Sequence, residues 1–464
     1  MRSHIPVALT IAGSDSGGGA GIQADLKTFA ALGVHGVVAI TSVTAQNTYE
    51  VRAIYDLPPK MVEEQIRAVI EDMGIDAAKT GMLSNSDIIK VVVRMIKEYS
   101  LTLVVDPVMI AKSGARLLRE DAVNTLVNEL FPLATVVTPN KHEAEVITGI
   151  KISNIDDAKK AAKIIAEKYG PIAVIVKGGH VDGEKATDIL YYNGKYWLYE
   201  SDRIINGCTH GTGCSYSAAI TAELAKGKSI PEAVKVAKEF ITLAIRYGLK
   251  IGKGHCPVNP IAWLEIKAER YNVITNIKQA LDILINNGDL ISKYVPEVQM
   301  NLVMALPKHY AKSINDVAGV KGRIVRFGDT IKPVGPIEFG ASKHLARAVL
   351  KIMEYNPEMR AAINIKYDEK VINVAKSLGY IVSYYDRREE PPEVKEKEGA
   401  TIPWGIEVAV KKIQGRTPDI IYHLGDWGKE PMINIFGSDA VDVVRKLINI
   451  LEHVESKTIK SQVT

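Results

Sequence analysis

The chain has 464 residues, too many for one ordinary hydrophobic core, so two domains are expected. With 47% hydrophobic and 24% charged residues and a net charge of +4, it is a folded chain with neither a nucleic-acid nor a membrane-surface footprint. Only 3 cysteines are present, which argues against a disulfide framework and for a reducing, cytoplasmic setting, and no apolar run approaches the ~20 residues of a membrane span.

In chain order, the first predicted strand is "VALTIAG", followed by an amphipathic helix in "AGIQADLKTFAALG" with apolar residues at i, i+3, i+4 and i+7. Strand-like runs recur in "AAKTGM", "LTLVVDPVM", "ATVVTPN" and "IAVIVKGGH", with helical stretches such as "NIDDAKKAAKIIAEKYG" between them. Alternation of this kind builds a parallel sheet covered on both faces, and ligands collect beyond the carboxyl ends of its strands. Asp15, Lys79, Asp106, Asn140 and Lys177 stand at those ends. The alternation closes near "GHCPVNPIAWLEIKAERYNV", where Pro257 and Pro260 interrupt it, so a boundary is expected between Glu265 and Asn272, giving domains 1–268 and 269–464. The second part mixes helices ("ITNIKQALDILINNG", "SKHLARAVLKIMEYN") with strands ("GRIVRF", "AAINIKY", "DIIYHLG", "MINIFG"), enough for its own α/β core. The charge run "YYDRREEPPEVKEKEG" reads as a solvated loop or mobile flap.

"GSDSGGGAGIQAD" follows the first strand and opens a helix, without the Gly-Lys-Ser/Thr ending of a Walker loop and with glycines too crowded for a dinucleotide fingerprint. A plain tight turn would need one or two glycines. Gly17, Gly18, Gly19 and Gly21 instead allow a ligand close to the backbone, and Asp25 could hydrogen-bond a heterocycle or hydroxyl. Asp106 in "VVDPVM", with Asn140 and Glu143 in "TPNKHEAEVITG", offers hard oxygen ligands for a magnesium–phosphate station, and Lys177 is its phosphate-facing cation.

"INGCTHGTGCSYSAAI" clusters Cys208, His210 and Cys214. As a metal site, C-x-H-x3-C lacks a fourth nearby ligand and matches no usual zinc spacing. The stretch runs into a helix N-terminus, where free amides bind anions. The better reading is a phosphate cradle of Gly211, Thr212 and Gly213, with Cys208 and His210 as packing or loop residues and the Cys214 thiolate favoured by the helix dipole.

"AGSDSGGGAGIQAD", "TSVTAQNT", "KTGML", "VVDPVM", "TPNKHEAE", "VKGGH" and "THGTGCSYSAAI" together resemble the hydroxymethylpyrimidine/phosphomethylpyrimidine kinase (ThiD) family over residues 5–265. The resemblance implies a ribokinase-like, three-layer α/β/α domain that uses ATP and Mg2+ to phosphorylate hydroxymethylpyrimidine and then its monophosphate. It implies a pyrimidine site lined by Gly13, Asp25, Gln46, Met82 and Val108. Asp106, Asn140, Glu143, Lys177, Gly211, Thr212 and Gly213 would serve Mg-ATP, with the metal on Asp106 and Glu143, directly or through water. Cys214 stands where broader ribokinase relatives carry a catalytic Asp; it takes the hydroxyl proton as thiolate or only completes the anion hole. Cys256 replaces an expected glycine and reads as a small packed side chain.

In the second part, Gly322 precedes a strand carrying Arg323 and Arg326, and Ser342 and Lys343 stand beside His344 in the first turn of a helix after glycine, again an anion-binding geometry. His423, Asp426 and Lys429 follow a later strand. "GRIVRFGD", "FGASKHLARAVL", "YYDRREEP" and "IYHLGDWGKEPMINIFG" resemble the ThiN-type thiamine-phosphate synthase domain over about 270–455. That resemblance implies a second three-layer α/β/α domain with a mixed sheet. It also implies condensation of hydroxymethylpyrimidine diphosphate with thiazole phosphate, with Arg323 and His344 acting on the departing pyrophosphate and Ser342, Lys343 and Asp426 as phosphate-site residues. The alternative is a C-terminal domain that only senses thiamine phosphate; a third is a ribokinase-like kinase for another vitamin or nucleoside, such as pyridoxal, against which Gln46 and the "GTGC" ending argue. Both families imply homodimers acting on small molecules.

Overall fold

A computed structural model describes residues 5–111, 114–178 and 185–463, so Gly179 and His180 of the "VKGGH" motif lie outside the described residues. The chain divides into two compact units, Met1–Leu264 and Glu265–Thr464, and the division falls within the helix Ala262–Asn286.

The first unit is built on a nine-stranded sheet. Its strands are β1 (Val7–Asp15), β2 (His35–Gln46), β3 (Val51–Asp56), β4 (Ala77–Thr80), β5 (Leu103–Val105), β6 (Val136–Val137), β7 (Ala173–Val176), β8 (Lys185–Tyr192) and β9 (Lys195–Asp202). The order is β3-β2-β1-β4-β5-β6-β7-β8-β9. Strands β2, β1 and β4 to β7 run parallel, because each is joined to the next by a crossover long enough to hold a helix or a loop. Their short runs of Ala, Val, Leu and Ile bury both faces. Leu9, Ile11, Val105 and Val176 meet one layer of helices, and Ala8, Val104 and Ile175 meet the other, which makes three layers. Helix Ser86–Tyr99 shows how periodicity becomes packing. Ile88, Ile89, Val92, Met95 and Ile96 are buried, each contributing about 1.5–3 kcal/mol of hydrophobic stabilisation, and Asn85 caps its start.

Both edges of this sheet are antiparallel hairpins that periodicity alone did not single out. The β8–β9 turn is Asn193–Gly194, both residues at positive φ, the primed-turn geometry that matches strand twist. The core strands β1, β5, β6 and β7 end together, bringing Asp15, Asp106, Asn140 and Lys177 to one edge of the sheet.

The second unit has a seven-stranded mixed sheet of β10 (Leu302–Ala305), β11 (Val317–Val320), β14 (Ile337–Phe339), β15 (Ala361–Lys366), β16 (Val382–Tyr384), β17 (Ile420–His423) and β18 (Met432–Gly437). The order is β14-β11-β10-β15-β18-β17-β16, antiparallel except for β16–β17. "GRIVRF" forms β12 (Ile324–Phe327), paired only with β13 (Thr330–Pro333) in a separate two-stranded ribbon. Helix Lys343–Ile352 packs with Thr401–Lys412, and helix Ala440–Val463 with Glu369–Ser377, against the main sheet. The charge run after β16 is largely exposed, as its composition suggested, but it is structured and anchored. Tyr385 and Glu390 are buried, a 3-10 turn covers Arg387–Glu389, and a short helix follows at Pro392–Glu396.

Candidate functional site

A cavity of about 790 Å3 opens where the first unit's strands end. Gly13, Gln46, Met82 and Val108 form one wall, while Asp106, Asn140, Glu143, Lys177 and Gly211–Cys214 form the other. The sequence-predicted residues therefore meet, with one correction. Asp25 lies behind the wall, fully buried, its carboxylate 2.9 and 3.0 Å from the Lys79 ammonium and accepting a hydrogen bond from the Thr10 hydroxyl at 2.7 Å. It is a locked internal ion pair because a carboxylate that deep needs every partner it can find; burial raises its pKa against the pull of Lys79.

The phosphate side is built from loops held by hydrogen bonds. Asn140 caps helix Lys141–Thr148, accepting from the Glu143 amide at 3.0 Å, while the Glu143 carboxylate accepts from the Asn140 amide at 2.8 Å. The Lys177 amide donates to the Pro139 carbonyl, which carries its side chain over the cavity, and its ammonium sits 3.0 Å from Asp106. Ser217, one turn along helix Thr212–Ala225 from Gly213, donates to Asp106 at 3.4 Å. The sequence reading missed Ser217; the signal was its i+4 spacing from a cradle glycine. Burial pushes the Glu143 carboxyl up to about 7, with the negative charge of Asp106 adding to it against the pull of Lys177. Two buried carboxylates repelling each other beside one lysine are hard oxygen donors suited to Mg2+, which takes one or two carboxylates and completes its shell with phosphates and water. Among the described residues no three His, Cys, Asp or Glu side chains converge as an all-protein metal cage.

The cradle itself is the start of helix Thr212–Ala225. Gly211 is in the left-handed region (φ 80°), and a Cβ there would fall 1.8 Å from the Gly19 carbonyl oxygen, so the two glycine loops touch at backbone distance. The helix leaves the Gly213 and Cys214 amides without intrahelical acceptors, pointing at the cavity. Asp15 ties the first loop together by accepting from the amides of Gly17, Gly19 and Ala20, and His210 Nε2 closes on the same carboxylate at 3.2 Å. His210 thus packs as a tie between the two loops.

Two cysteine expectations are corrected. Cys208 and Cys256 form a disulfide, so Cys256 is a cross-link and not merely a small packed residue, and the scarcity of cysteine did not exclude bridging. Folding brings residues 48 apart in sequence to a Cα separation of 4.9 Å, next to backbone bonds from the His210 amide to the Cys256 carbonyl and from the Val258 amide to the His210 carbonyl. Cys214 is a thiol, not a dipole-stabilised thiolate. Burial pushes its pKa up to about 12, reinforced by the charges of Asp25 and Asp106 and opposed by Lys79 and by a hydrogen bond with the Gly21 backbone.

In the second unit, His344 opens helix Lys343–Ile352 after Gly340 (φ 82°), and the Ser342 hydroxyl makes no cap bond. The imidazole is exposed, and partial desolvation, followed by the charges of Arg347, Arg323, Lys429 and Arg387, lowers its pKa. That shift favours the neutral imidazole, whose N–H can donate a hydrogen bond. Arg323 lies in a turn at positive φ, its guanidinium donating to the Val298 carbonyl. Asp426 is a turn-former: it exchanges backbone hydrogen bonds with Lys429 and caps the Trp427 amide, which positions Lys429. Lys343 is exposed and is not among the charges acting on His344.

A three-layer α/β unit whose strand ends hold a glycine-loop phosphate cradle beside an apolar-walled cavity is the architecture of a small-molecule kinase. The family model for phosphomethylpyrimidine kinase matches residues 15–259, and that for thiamine-phosphate synthase ThiN matches 276–449. The chain is 37% identical over 452 residues to the bifunctional thiamine biosynthesis protein ThiDN of Methanocaldococcus jannaschii, covering 95% of this chain and 97% of that one. It is 50% identical over 258 residues to the hydroxymethylpyrimidine/phosphomethylpyrimidine kinase of Bacillus subtilis, covering 55% and 95%. The structure of an ADP complex of Bacillus subtilis pyridoxal kinase is similar at a TM-score of 0.53 and 41% identity, covering 56% of this chain and 98% of that one. The chain belongs to the phosphomethylpyrimidine kinase family and, with its ThiN unit, to the bifunctional ThiDN proteins of thiamine biosynthesis.

Proposed function

We propose that residues 1–268 phosphorylate 4-amino-5-hydroxymethyl-2-methylpyrimidine to its monophosphate and then its diphosphate, and that residues 269–464 join the diphosphate to thiazole phosphate. The observation that carries the kinase half is the single cavity joining the Gly13–Gln46–Met82 wall to the Asp106–Lys177–Gly213 cradle. In the first step the acceptor hydroxyl oxygen attacks the γ-phosphorus of ATP, the hydroxyl proton passes to solvent water, and ADP departs with the electron pair of the broken P–O bond. Positioning and charge neutralisation supply most of the acceleration in such transfers. Lys177 and the Gly213 and Cys214 amides meet the transferring phosphoryl charge. With its thiol protonated at neutral pH, Cys214 completes the anion hole, a role that serves both steps, since the second acceptor is already a phosphate and needs no base. Asp106 and Glu143 would hold Mg2+, which neutralises phosphate charge when bound.

In the second unit the bond between the pyrimidine methylene carbon and the diphosphate oxygen breaks, and its electron pair leaves with pyrophosphate. The thiazole nitrogen lone pair forms the new C–N bond. Arg323 and a hydrogen bond from neutral His344 stabilise the leaving group. Use of ATP with its magnesium suits a cytoplasmic enzyme, and we assign it as a homodimer on the family resemblance.

The test is the purified chain with hydroxymethylpyrimidine, thiazole phosphate, ATP and magnesium. Thiamine phosphate forms in the wild type and disappears in His344→Ala while phosphorylation of the pyrimidine continues. A wild type that makes the diphosphate but never thiamine phosphate would overturn the synthase half and leave a ligand-sensing unit.

A further inference from the structure

Four cations converge on His344 from four separate pieces of chain. Arg323 comes from the turn before β12, Arg347 lies one helical turn beyond His344, Arg387 sits in the 3-10 turn after β16, and Lys429 follows β17. Among the described residues none of the four takes part in an ion pair, whereas the adjacent Arg388 does. Three of the local acids are engaged elsewhere: Arg388 takes the Asp386 carboxylate at 2.6 Å, Asp426 caps its own turn, and Glu430 accepts from the amides of Glu297 and Val298. Glu390, buried in the same segment as Arg387, keeps one carboxylate oxygen without a partner.

Arg387 is the unexpected member, because the sequence placed it in a solvated flap. Its Nε is fully buried and meets no acceptor, and the same is true of the neighbouring Tyr385 hydroxyl as a polar group without a partner. The segment is fixed from behind. The Tyr385 ring lies 5.2 Å from that of His423 and edge-on to Trp404, and a Cβ on Gly405 would strike it at 2.6 Å. Arg347 is likewise confined, since a Cβ on Gly399 would fall 2.3 Å from its guanidinium carbon. Confined guanidinium groups gathered around one imidazole are preorganised for an anion, and their orientation costs little on binding.

We infer that Arg347, Arg387 and Lys429 complete, with Arg323, a four-cation grip for the diphosphate group of the pyrimidine substrate and for the pyrophosphate it releases. This rests on the synthase reading above. The charge favours the ligand: four positive charges suit the diphosphate ester, which carries up to about three negative charges, and the pyrophosphate it releases, which carries up to about four, whereas a monophosphate carries at most about two, its second proton leaving near pH 6. The thiazole phosphate then binds outside the grip.

The experiment is synthase kinetics on the full chain with preformed pyrimidine diphosphate and thiazole phosphate, using inorganic pyrophosphate as product inhibitor. Arg387→Gln and Lys429→Gln each raise the KM for the diphosphate and the pyrophosphate inhibition constant about tenfold or more, leave the KM for thiazole phosphate within twofold, and keep full kinase rates. Arg387→Lys recovers part of the loss. Lys429 is on an exposed turn, so its variant carries the test should Arg387→Gln not fold. Pyrophosphate inhibition within twofold of the wild type in the folded variants, or a shift confined to the thiazole phosphate KM, overturns the grip. A wild type that forms no thiamine phosphate overturns the synthase reading and the grip with it.

Discussion

Gly213 stands between Lys177 and Asp106: a Cβ added there would lie 3.5 Å from the ammonium and 3.4 Å from a carboxylate oxygen. That is ordinary contact, and its φ is not in the left-handed region, so Gly213→Ala folds with stability within about 0.5 kcal/mol of wild type. The methyl group nevertheless fills the space a phosphoryl oxygen needs. Kinase kcat/KM falls at least about tenfold, or ~1.4 kcal/mol of transition-state stabilisation. Gly211→Ala is the contrast. Its Cβ would meet the Gly19 carbonyl at 1.8 Å at a φ of 80°, so thermal unfolding shows a loss of about 3 kcal/mol or more. Equal melting temperatures for the two variants would contradict this account of the cradle.

Cys214 yields a second expectation. A thiol with a pKa of about 12 stays protonated through neutral pH, so iodoacetamide modifies it far more slowly at pH 8 than a free cysteine, without zinc release. Cys214→Ala lowers kinase kcat about tenfold or more, while Cys214→Ser, which keeps a donor at the anion hole, retains more activity. Rapid alkylation at pH 7 would restore the thiolate role.

The Cys208–Cys256 bond closes a long chain loop, and loops of this size lose roughly 2–4 kcal/mol of stability when the cross-link is removed. Cys256→Ala, or incubation with dithiothreitol, lowers the melting temperature of the first unit, and since the bond borders His210 it also raises the KM for ATP. Mass spectrometry of protein alkylated in denaturant without reductant checks the pairing: Cys214 alone takes the label.

Glu143 links pH to stability. Its native pKa of about 7 lies above the ordinary carboxylate value, so the folded state prefers the protonated form, and stability falls as pH rises from about 4.5 through 7. Glu143→Gln keeps the acceptor for the Asn140 amide and removes the charge. Its melting temperature exceeds that of the wild type at pH 8 and matches it near pH 5. The same variant needs about tenfold more magnesium for half-maximal kinase rate. A variant destabilised equally at both pH values would show that Glu143 acts only as a cap.

Much of the site was legible because phosphate chemistry restricts residue choice locally. A glycine before a helix start, a carboxylate after one strand and a lysine after another are signals carried by adjacent residues, which is why Asp106, Lys177 and Gly211–Cys214 stand out in the sequence. Asp25 misled because a carboxylate on a first helical turn looks the same whether it faces a ligand or Lys79. The β8–β9 hairpin was overlooked despite its Asn193–Gly194 turn, since attention to helix–strand alternation hides antiparallel edges.

The sequence by itself determined the layered α/β architecture of the first unit, the cradle and its glycine spacing, because these depend on periodicity and on neighbours within a few residues. Only the tertiary structure decided the disulfide, the burial that protonates Cys214, and the convergence of Arg323, Arg347, Arg387 and Lys429 on His344. Each of those depends on segments far apart in the chain and on the water that folding excludes between them. Desolvation and long-range proximity set the energies of thiols and charges, and neither is written in local spacing.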